Sequence, residues 1–302
     1  MTKAARWFEG AHLEVAGRNG YTVPPLDGSL TYPEMLEFQA KHNPDWVFVK
    51  YRKVSSPGQE IVELRFKDFH SAVHRAGRYF ARELGIDVDS GSYKTASTGV
   101  HGHQSRPVVA IFANGDSLSY HITLAALMRI GVVPFAISIN NSREALAHLL
   151  KLTDSTAVIR GRPDTNPDVD RTLQCALDDL ARDGRTLQTI EWASADFLEG
   201  RGPADFSRTI VTLPPVDVQE TMVILHSSGS TSFPKPVPSK HASMSHLGRM
   251  TWYGDHNMSG TQVYLGHLPP WHAFAWNLGV MCSHGIGWTI ILREPTDPPK
   301  VS

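Results

Sequence analysis

The middle of the chain alternates apolar, strand-like runs with helix-like segments, and this alternation restricts the fold more than any other feature of the sequence. The predicted elements are a strand at 107–112, a helix at 118–130, a strand at 132–137, a helix opening near Asn141 and a strand at 156–159. Asn141 and Glu144 have the spacing of a capping box. Strands that alternate with helices form a parallel sheet covered by helices, so the sequence predicts an α/β fold.

The flanking regions carry the same alternation with longer connections. Helices are predicted at 68–84, 171–183 and near 276–285, and strands at 187–192, 221–225, 262–268 and 288–292. Residues 1–60 have an irregular pattern with several turn signals, and residues 87–106 read as a polar surface loop. We therefore expect an irregular N-terminal segment, 1–60, followed by one domain over 61–302.

The composition is that of a globular protein, with 41% hydrophobic and 20% charged residues and a net charge of -1. This charge argues against nucleic acid or an anionic membrane as a partner. Two widely separated cysteines, Cys175 and Cys282, indicate a reducing compartment rather than a disulfide framework. The sequence contains neither a signal-peptide core nor a membrane-spanning run, so we expect a soluble, cytoplasmic protein with no membrane span.

Residues 226–237 read His-Ser-Ser-Gly-Ser-Thr-Ser-Phe-Pro-Lys-Pro-Val and directly follow the strand predicted at 221–225. Gly229 permits a positive φ, which lets successive backbone N–H groups converge on one point. Hydroxyl donors are supplied by Ser227, Ser228, Ser230 and Thr231. Lys235 adds a mobile positive charge that suits a phosphate. A loop of this kind at the carboxyl end of a parallel strand predicts a triphosphate site.

Other phosphate-binding loops do not match this segment. A Walker loop needs Gly-Lys-Ser/Thr, whereas Lys235 stands between two prolines, and no Gly-x-Gly-x-x-Gly fingerprint occurs here. Residues 221–254 contain no Asp or Glu, in a chain that has 30 acidic residues, which favours a bound polyanion. The alternative is a serine-rich surface loop without a ligand.

The segment SSGSTSFPKPV resembles the signature phosphate loop of the adenylate-forming superfamily, which includes acyl-CoA synthetases, adenylation domains of nonribosomal peptide synthetases and related reductases. Ser232 and Pro236 replace two glycines of the usual pattern. Both departures resemble fungal synthetases and reductases of the nonribosomal peptide synthetase type. The resemblance implies the acyl-CoA synthetase-like fold, with ATP and Mg²⁺ as cofactors.

A second motif, residues 268–276 (LPPWHAFAW), is similar to the substrate-side segment of the same superfamily. The resemblance implies that His272 lies beside the acyl substrate, with Trp271 and Phe274 lining the pocket. A turn rich in aromatic residues is suited to line an apolar pocket. The alternative is that these aromatic side chains serve only as core packing.

The resemblance also implies a mechanism, in which a small-molecule carboxylic acid attacks the α-phosphate of ATP and the acyl-adenylate then passes to the thiol of CoA or phosphopantetheine. The implied phosphate-binding residues are Ser227, Ser228, Gly229, Ser230, Thr231 and Lys235. Lys235 and His272 are the implied catalytic residues, and Thr231 is the implied Mg²⁺ ligand. A downstream carrier or reductase domain is an implied partner.

Family segments that bind adenine and ribose, Tyr-Gly-x-Thr-Glu and Tyr-x-Thr-Gly-Asp, do not occur in this sequence, nor does the lid domain with its catalytic lysine. We therefore expect a partial N-terminal domain of the acyl-CoA synthetase-like fold that is inactive by itself. The alternative is a truncated, non-catalytic remnant that at most binds nucleotide. A kinase is not supported, because its metal-binding Asp-Phe-Gly segment is absent.

Metal binding is a further question in a chain with 15 histidines. His101 and His103 lie in a polar loop with no Cys or carboxylate ligand at suitable spacing nearby, so a solvated loop is the favoured interpretation.

Overall fold

The computed structural model describes residues 20–52, 60–88, 106–161, 166–192, 216–227, 233–248, 258–266 and 268–293. Within these ranges the helices are α1 (Tyr32–His42), α2 (Phe66–Glu83), α3 (Ser117–Arg129), α4 (Arg143–Leu152), α5 (Pro167–Arg182), α6 (His241–Leu247), α7 (Ala273–Trp276), a π-helical segment (Asn277–Cys282) and α8 (Ser283–Ile286). The strands are β1 (Val47–Arg52), β2 (Ile61–Arg65), β3 (Val108–Phe112), β4 (Val133–Ala136), β5 (Ala157–Arg160), β6 (Gln188–Glu191), β7 (Thr221–His226), β8 (Pro236–Lys240), β9 (Gln262–Tyr264) and β10 (Thr289–Leu292).

A six-stranded sheet with the order β6-β5-β3-β4-β7-β8 forms the centre of the fold. All neighbouring strands in it are parallel except β8, which runs antiparallel to β7. The parallel sheet predicted from the sequence is therefore confirmed. Strand β8 contains Pro236 and Pro238, which is compatible with its place at an edge because proline cannot donate to a further strand.

The two faces of this sheet bury two separate apolar clusters. Along β3, Val109 and Ile111 point into one cluster, and Ala110 and Phe112 into the other. The first cluster includes α3, which is buried along nearly its whole length and packs against α1 and α2. The second includes the apolar faces of α4 and α5. This alternation is what a sheet covered on both faces requires.

A second sheet, with the order β2-β1-β10-β9, joins the two ends of the described chain. Strand β1 pairs in parallel with β10, and Val49 lies opposite Ile290. The expectation that residues 1–60 are irregular is therefore wrong for α1 and β1. Helix α1 opens with a capping box between Thr31 and Glu34, and β1 is stabilised by a partner strand far away in the sequence, which no local pattern reveals.

Several predicted boundaries also change. Helix α4 is capped by Ser142, whose Oγ accepts from the N–H of Ala145, and not by Asn141. The Asn141 side-chain amide instead donates to the carbonyl of Ser138, within the preceding turn. Helix α5 begins at Pro167, four residues before the predicted start at 171, because Asn166 serves as its N-cap.

The C-terminal elements differ from the prediction in length. Strand β9 ends at Tyr264 instead of 268, and the helical region covers 273–286 with a π-helical centre. Most of the predicted loop 87–106, with His101 and His103, lies outside the described residues. In the part of the chain that is described, no helix has both the length and the apolar character needed to cross a bilayer.

Candidate functional site

The serine-rich segment leaves the sheet at the carboxyl end of β7. Strand β7 ends at His226 and Ser227 follows it. Ser228, Gly229, Ser230 and Thr231 lie outside the described residues, which resume at Phe233. Lys235 then directly precedes β8. The structure thus describes the two ends of the loop, and these ends lie side by side because β7 and β8 are paired.

Two hydrogen bonds close the base of this loop. The Ser227 N–H donates to the Lys235 carbonyl over 3.0 Å, and the Lys235 N–H donates to Ser227 Oγ over 3.2 Å. The Ser227 amide is therefore already engaged, while its hydroxyl hydrogen is used by neither bond. The geometry fixes the backbone of Lys235 at the base of the loop, and its side chain lies exposed.

Phe233 lies where the chain returns from the serine-rich segment towards β8. Its ring stacks on the imidazole of His148 in α4, with ring centroids 5.1 Å apart, and the ring is nevertheless 48% exposed. This contact ties the loop to the helix that follows β4.

His226 joins the end of β7 to the turn after β4, and sequence reasoning assigned it no role. Its Nε2 accepts from the Ser138 N–H over 2.9 Å, and its Nδ1 lies 3.1 Å from the Ser227 carbonyl oxygen. The ring is therefore neutral and carries its proton on Nδ1, which donates to that carbonyl. Burial lowers the pKa of His226, and nearby His272 lowers it further. The only feature of the sequence that pointed to His226 is its position between the predicted strand and the serine-rich segment.

His272 of the second motif contributes to the lowered pKa of His226, which relates this motif electrostatically to the end of β7. His272 follows a turn and precedes α7. Its Nδ1 accepts from the Phe274 N–H over 3.1 Å, so Nε2 carries the hydrogen of the neutral ring. The imidazole is exposed, and this leaves an oriented N–H donor on the surface.

The two aromatic residues of the motif lie in different surroundings. Trp271 is 6% exposed and belongs to the main core, with its ring centroid 6.5 Å from that of Tyr120. Phe274 is 54% exposed. Core packing therefore accounts for the burial of Trp271 but not for the position of Phe274, which is available to contact a ligand.

The geometry thus places the two ends of the serine-rich segment and the exposed Lys235 at the carboxyl end of β7, and it orients the imidazole of His272 in the second motif. A sequence model of the AMP-binding enzyme family matches residues 97–302, about two thirds of the chain. The chain belongs to the AMP-binding enzyme family. The resemblance inferred from the phosphate loop is confirmed by this match.

Curated relatives of this AMP-binding chain are fungal. Adenylate-forming reductase Nps10 of Heterobasidion annosum is 28% identical over 269 residues, which cover 85% of this chain and 22% of the relative. The non-canonical nonribosomal peptide synthetase ascB of Acremonium egyptiacum is 27% identical over 250 residues, covering 82% and 21%. The chain therefore spans about a fifth of the length of these relatives.

Solved structures with the same fold include the N-terminal domain of FACL13 from Mycobacterium tuberculosis, with a TM-score of 0.61 and 19% identity over 88% of this chain and 57% of that one. The N-terminal subdomain of Klebsiella oxytoca NpsA, solved with 3-hydroxybenzoyl-AMSN, has a TM-score of 0.60 and 17% identity over 90% and 55%. These similarities confirm the predicted fold, which is a part of the N-terminal domain of the acyl-CoA synthetase-like fold.

Proposed function

We propose that this chain takes part in the ATP-dependent activation of a carboxylic acid as an acyl-adenylate. The observation that carries the proposal is the closed base of the loop between β7 and β8, which holds the lysine of a family phosphate loop at the end of a parallel strand. Enzymes of the AMP-binding family adenylate acids with ATP and Mg²⁺. Residues 221–254 contain no Asp or Glu side chain, and this lack of negative charge is compatible with a triphosphate at the loop.

In this proposal the loop binds the phosphates of ATP through its backbone and hydroxyl groups. The residues assigned to these contacts are Ser227, Ser228, Gly229, Ser230 and Thr231. Lys235 neutralises the negative charge that develops as the carboxylate oxygen attacks the α-phosphorus and pyrophosphate leaves. Mg²⁺, when bound, would screen the triphosphate, and Thr231 is its proposed ligand.

The acid is proposed to bind beside His272 and Phe274. The Nε2–H of His272 is oriented by its bond to the backbone and suits a carboxylate oxygen as acceptor. The exposed ring of Phe274 suits an apolar part of the acid. The acceptor of the acyl group is proposed to be a thiol of CoA or phosphopantetheine, on a carrier or reductase partner domain in the complete enzyme.

Replacing Lys235 with Ala is expected to weaken ATP binding by roughly tenfold, which corresponds to the loss of one charge-assisted contact. Isothermal titration calorimetry with MgATP measures the effect. Lys240→Ala is the matched control, because Lys240 is also an exposed lysine of the β8 segment but contacts Gln219. An unchanged dissociation constant for Lys235→Ala, or an equal loss in both variants, contradicts the assignment.

We expect the chain alone to bind ATP without catalysing acid-dependent exchange of pyrophosphate into ATP, since the adenine-binding and ribose-binding family segments are missing from its sequence. The assay uses the purified chain and a panel of aryl and aliphatic acids. Robust exchange would show that these segments are dispensable. Absence of both exchange and ATP binding would favour the alternative, a non-catalytic remnant.

A further inference from the structure

Three potential metal ligands converge where α1 packs against α2. They are Glu37 of α1 and His70 and His74, which are four residues apart on one face of α2. Glu37 Oε1 lies 3.0 Å from His70 Nε2, the two Nε2 atoms are 3.1 Å apart, and His74 Nε2 is 3.6 Å from Glu37 Oε1. None of these residues belongs to the proposed nucleotide or acid site.

Hydrogen bonds hold this arrangement only through one shared hydrogen. An imidazole nitrogen presents either one hydrogen or one lone pair. If His70 Nε2 carries its hydrogen, that hydrogen is divided between Glu37 Oε1 at 3.0 Å and the lone pair of His74 Nε2 at 3.1 Å. A cation between the three atoms gives each of the three lone pairs a contact of its own.

The distances match those around a tetrahedral ion. Zn²⁺ binds imidazole nitrogen and carboxylate oxygen at about 2.0–2.2 Å, so two ligand atoms of a tetrahedral site are about 3.3 Å apart. The three separations, 3.0, 3.1 and 3.6 Å, bracket this value. Two imidazoles and one carboxylate, with water as a fourth ligand, are a ligand set that zinc prefers.

We propose that Glu37, His70 and His74 bind one Zn²⁺ ion and that this ion links α1 to α2. His74 is nearly fully buried, with 2% of its side chain exposed, while His70 and Glu37 are 22% and 43% exposed. The ion would thus bind one buried histidine, His74, and would be accessible to solvent on the side of His70 and Glu37. Helix α1 already packs into the first apolar cluster through Tyr32, Met35 and Leu36, and the ion adds a polar link from α1 to α2.

Arg129 of α3 is the competing partner of the carboxylate. Its Nη1 lies 2.5 Å from the same Glu37 oxygen, and its side chain is buried. A carboxylate oxygen has two lone pairs, so Oε1 can accept from the guanidinium with one and bind a metal ion with the other. In the absence of an ion, Arg129 neutralises Glu37, so the cluster remains folded and the site is expected to load reversibly.

Isothermal titration calorimetry of the metal-stripped chain with ZnCl₂ tests the proposal. His70→Gln is the diagnostic variant, because His70 is partly exposed and its replacement leaves the buried His74 in place. We expect one high-affinity Zn²⁺ per chain and a loss of affinity of at least about tenfold in His70→Gln. His42→Gln removes an exposed histidine at the end of α1 and is expected to change nothing. All proteins carry His101→Gln and His103→Gln, which removes binding by these two histidines.

Co²⁺ gives a second readout that does not depend on nucleotide binding or activity. The chain with Co²⁺ is expected to show the visible absorption of a four-coordinate site, and His70→Gln is expected to lose it. Stoichiometric binding that survives in both His70→Gln and Glu37→Gln would overturn the proposal. So would the absence of a high-affinity site in the otherwise folded chain, which would mean that Arg129 and His70 satisfy Glu37 without an ion.

Discussion

Replacement of Gly287 by Ala is expected to lower the free energy of unfolding by roughly 2–5 kcal/mol, because the change combines backbone strain with overlap in the core. Gly287 has φ of +75°, and a Cβ at this position lies 2.8–2.9 Å from ring atoms of Tyr21. The Tyr21 ring is held in place and cannot move away from an added Cβ. Its hydroxyl donates to the His284 carbonyl over 2.7 Å and accepts from Gln39 over 2.9 Å, and Tyr21 is buried.

Gly184→Ala is the matched control for this substitution. Gly184 follows α5 with nearly the same φ, +77°, and no atom lies within 4 Å of its added Cβ. It therefore carries the backbone strain alone, about 1–2 kcal/mol. Urea denaturation of both variants separates the two contributions. Equal destabilisation would show that the contact with Tyr21 has no energetic consequence and would contradict the packing described between Tyr21 and the start of β10.

Acidification from pH 6.5 to about 4 is expected to destabilise the fold by several kcal/mol. Burial lowers the pKa of His121 to about 3, of His284 to about 4 and of His241 to about 4. The unfolded chain takes up protons at these histidines near pH 6.5, whereas the folded chain keeps them neutral to lower pH. Their stabilising contribution is therefore complete above pH 6.5 and is lost as the pH falls. For His284 alone it amounts to about 3 kcal/mol.

Asp116, the N-cap of α3, opposes this trend. Burial raises its pKa to about 6, so the folded chain holds this proton more tightly than the unfolded chain does. Its unfavourable contribution at neutral pH fades as the pH falls from 6 towards 3.8, by about 3 kcal/mol. One carboxyl does not offset three histidines, and the net effect remains a loss of stability in acid.

Urea unfolding between pH 4 and 7, with EDTA present, measures the pH dependence. His284→Phe is the diagnostic variant, since the ring of His284 lies among those of Phe48, Phe66 and Phe69 and an aromatic replacement preserves packing there. We expect a shallower loss of stability on acidification in this variant. His42→Gln, at an exposed position, should leave the slope as it is. An unchanged slope in His284→Phe would mean that this histidine does not resist protonation in the folded state.

The sequence by itself determined the α/β class and the position of the phosphate loop. The strands at β3, β4, β5 and β7 lie within about a residue of the predicted runs, because a buried parallel strand is a continuous apolar segment that a local pattern reveals. The order of residues in the loop, together with the strand before it, was sufficient to indicate the family that the match to residues 97–302 confirms.

The tertiary structure alone decided which distant residues meet. β1 pairs with β10 across some 240 residues, His226 meets Ser138 across 88, and Glu37 meets His70 across 33. The sequence near each of these residues contains no sign of its partner, because the contact depends on how whole elements pack. Local periodicity reports which face of an element is buried, but only the packed arrangement of sheets and helices brings the two polar groups of each pair within hydrogen-bonding distance.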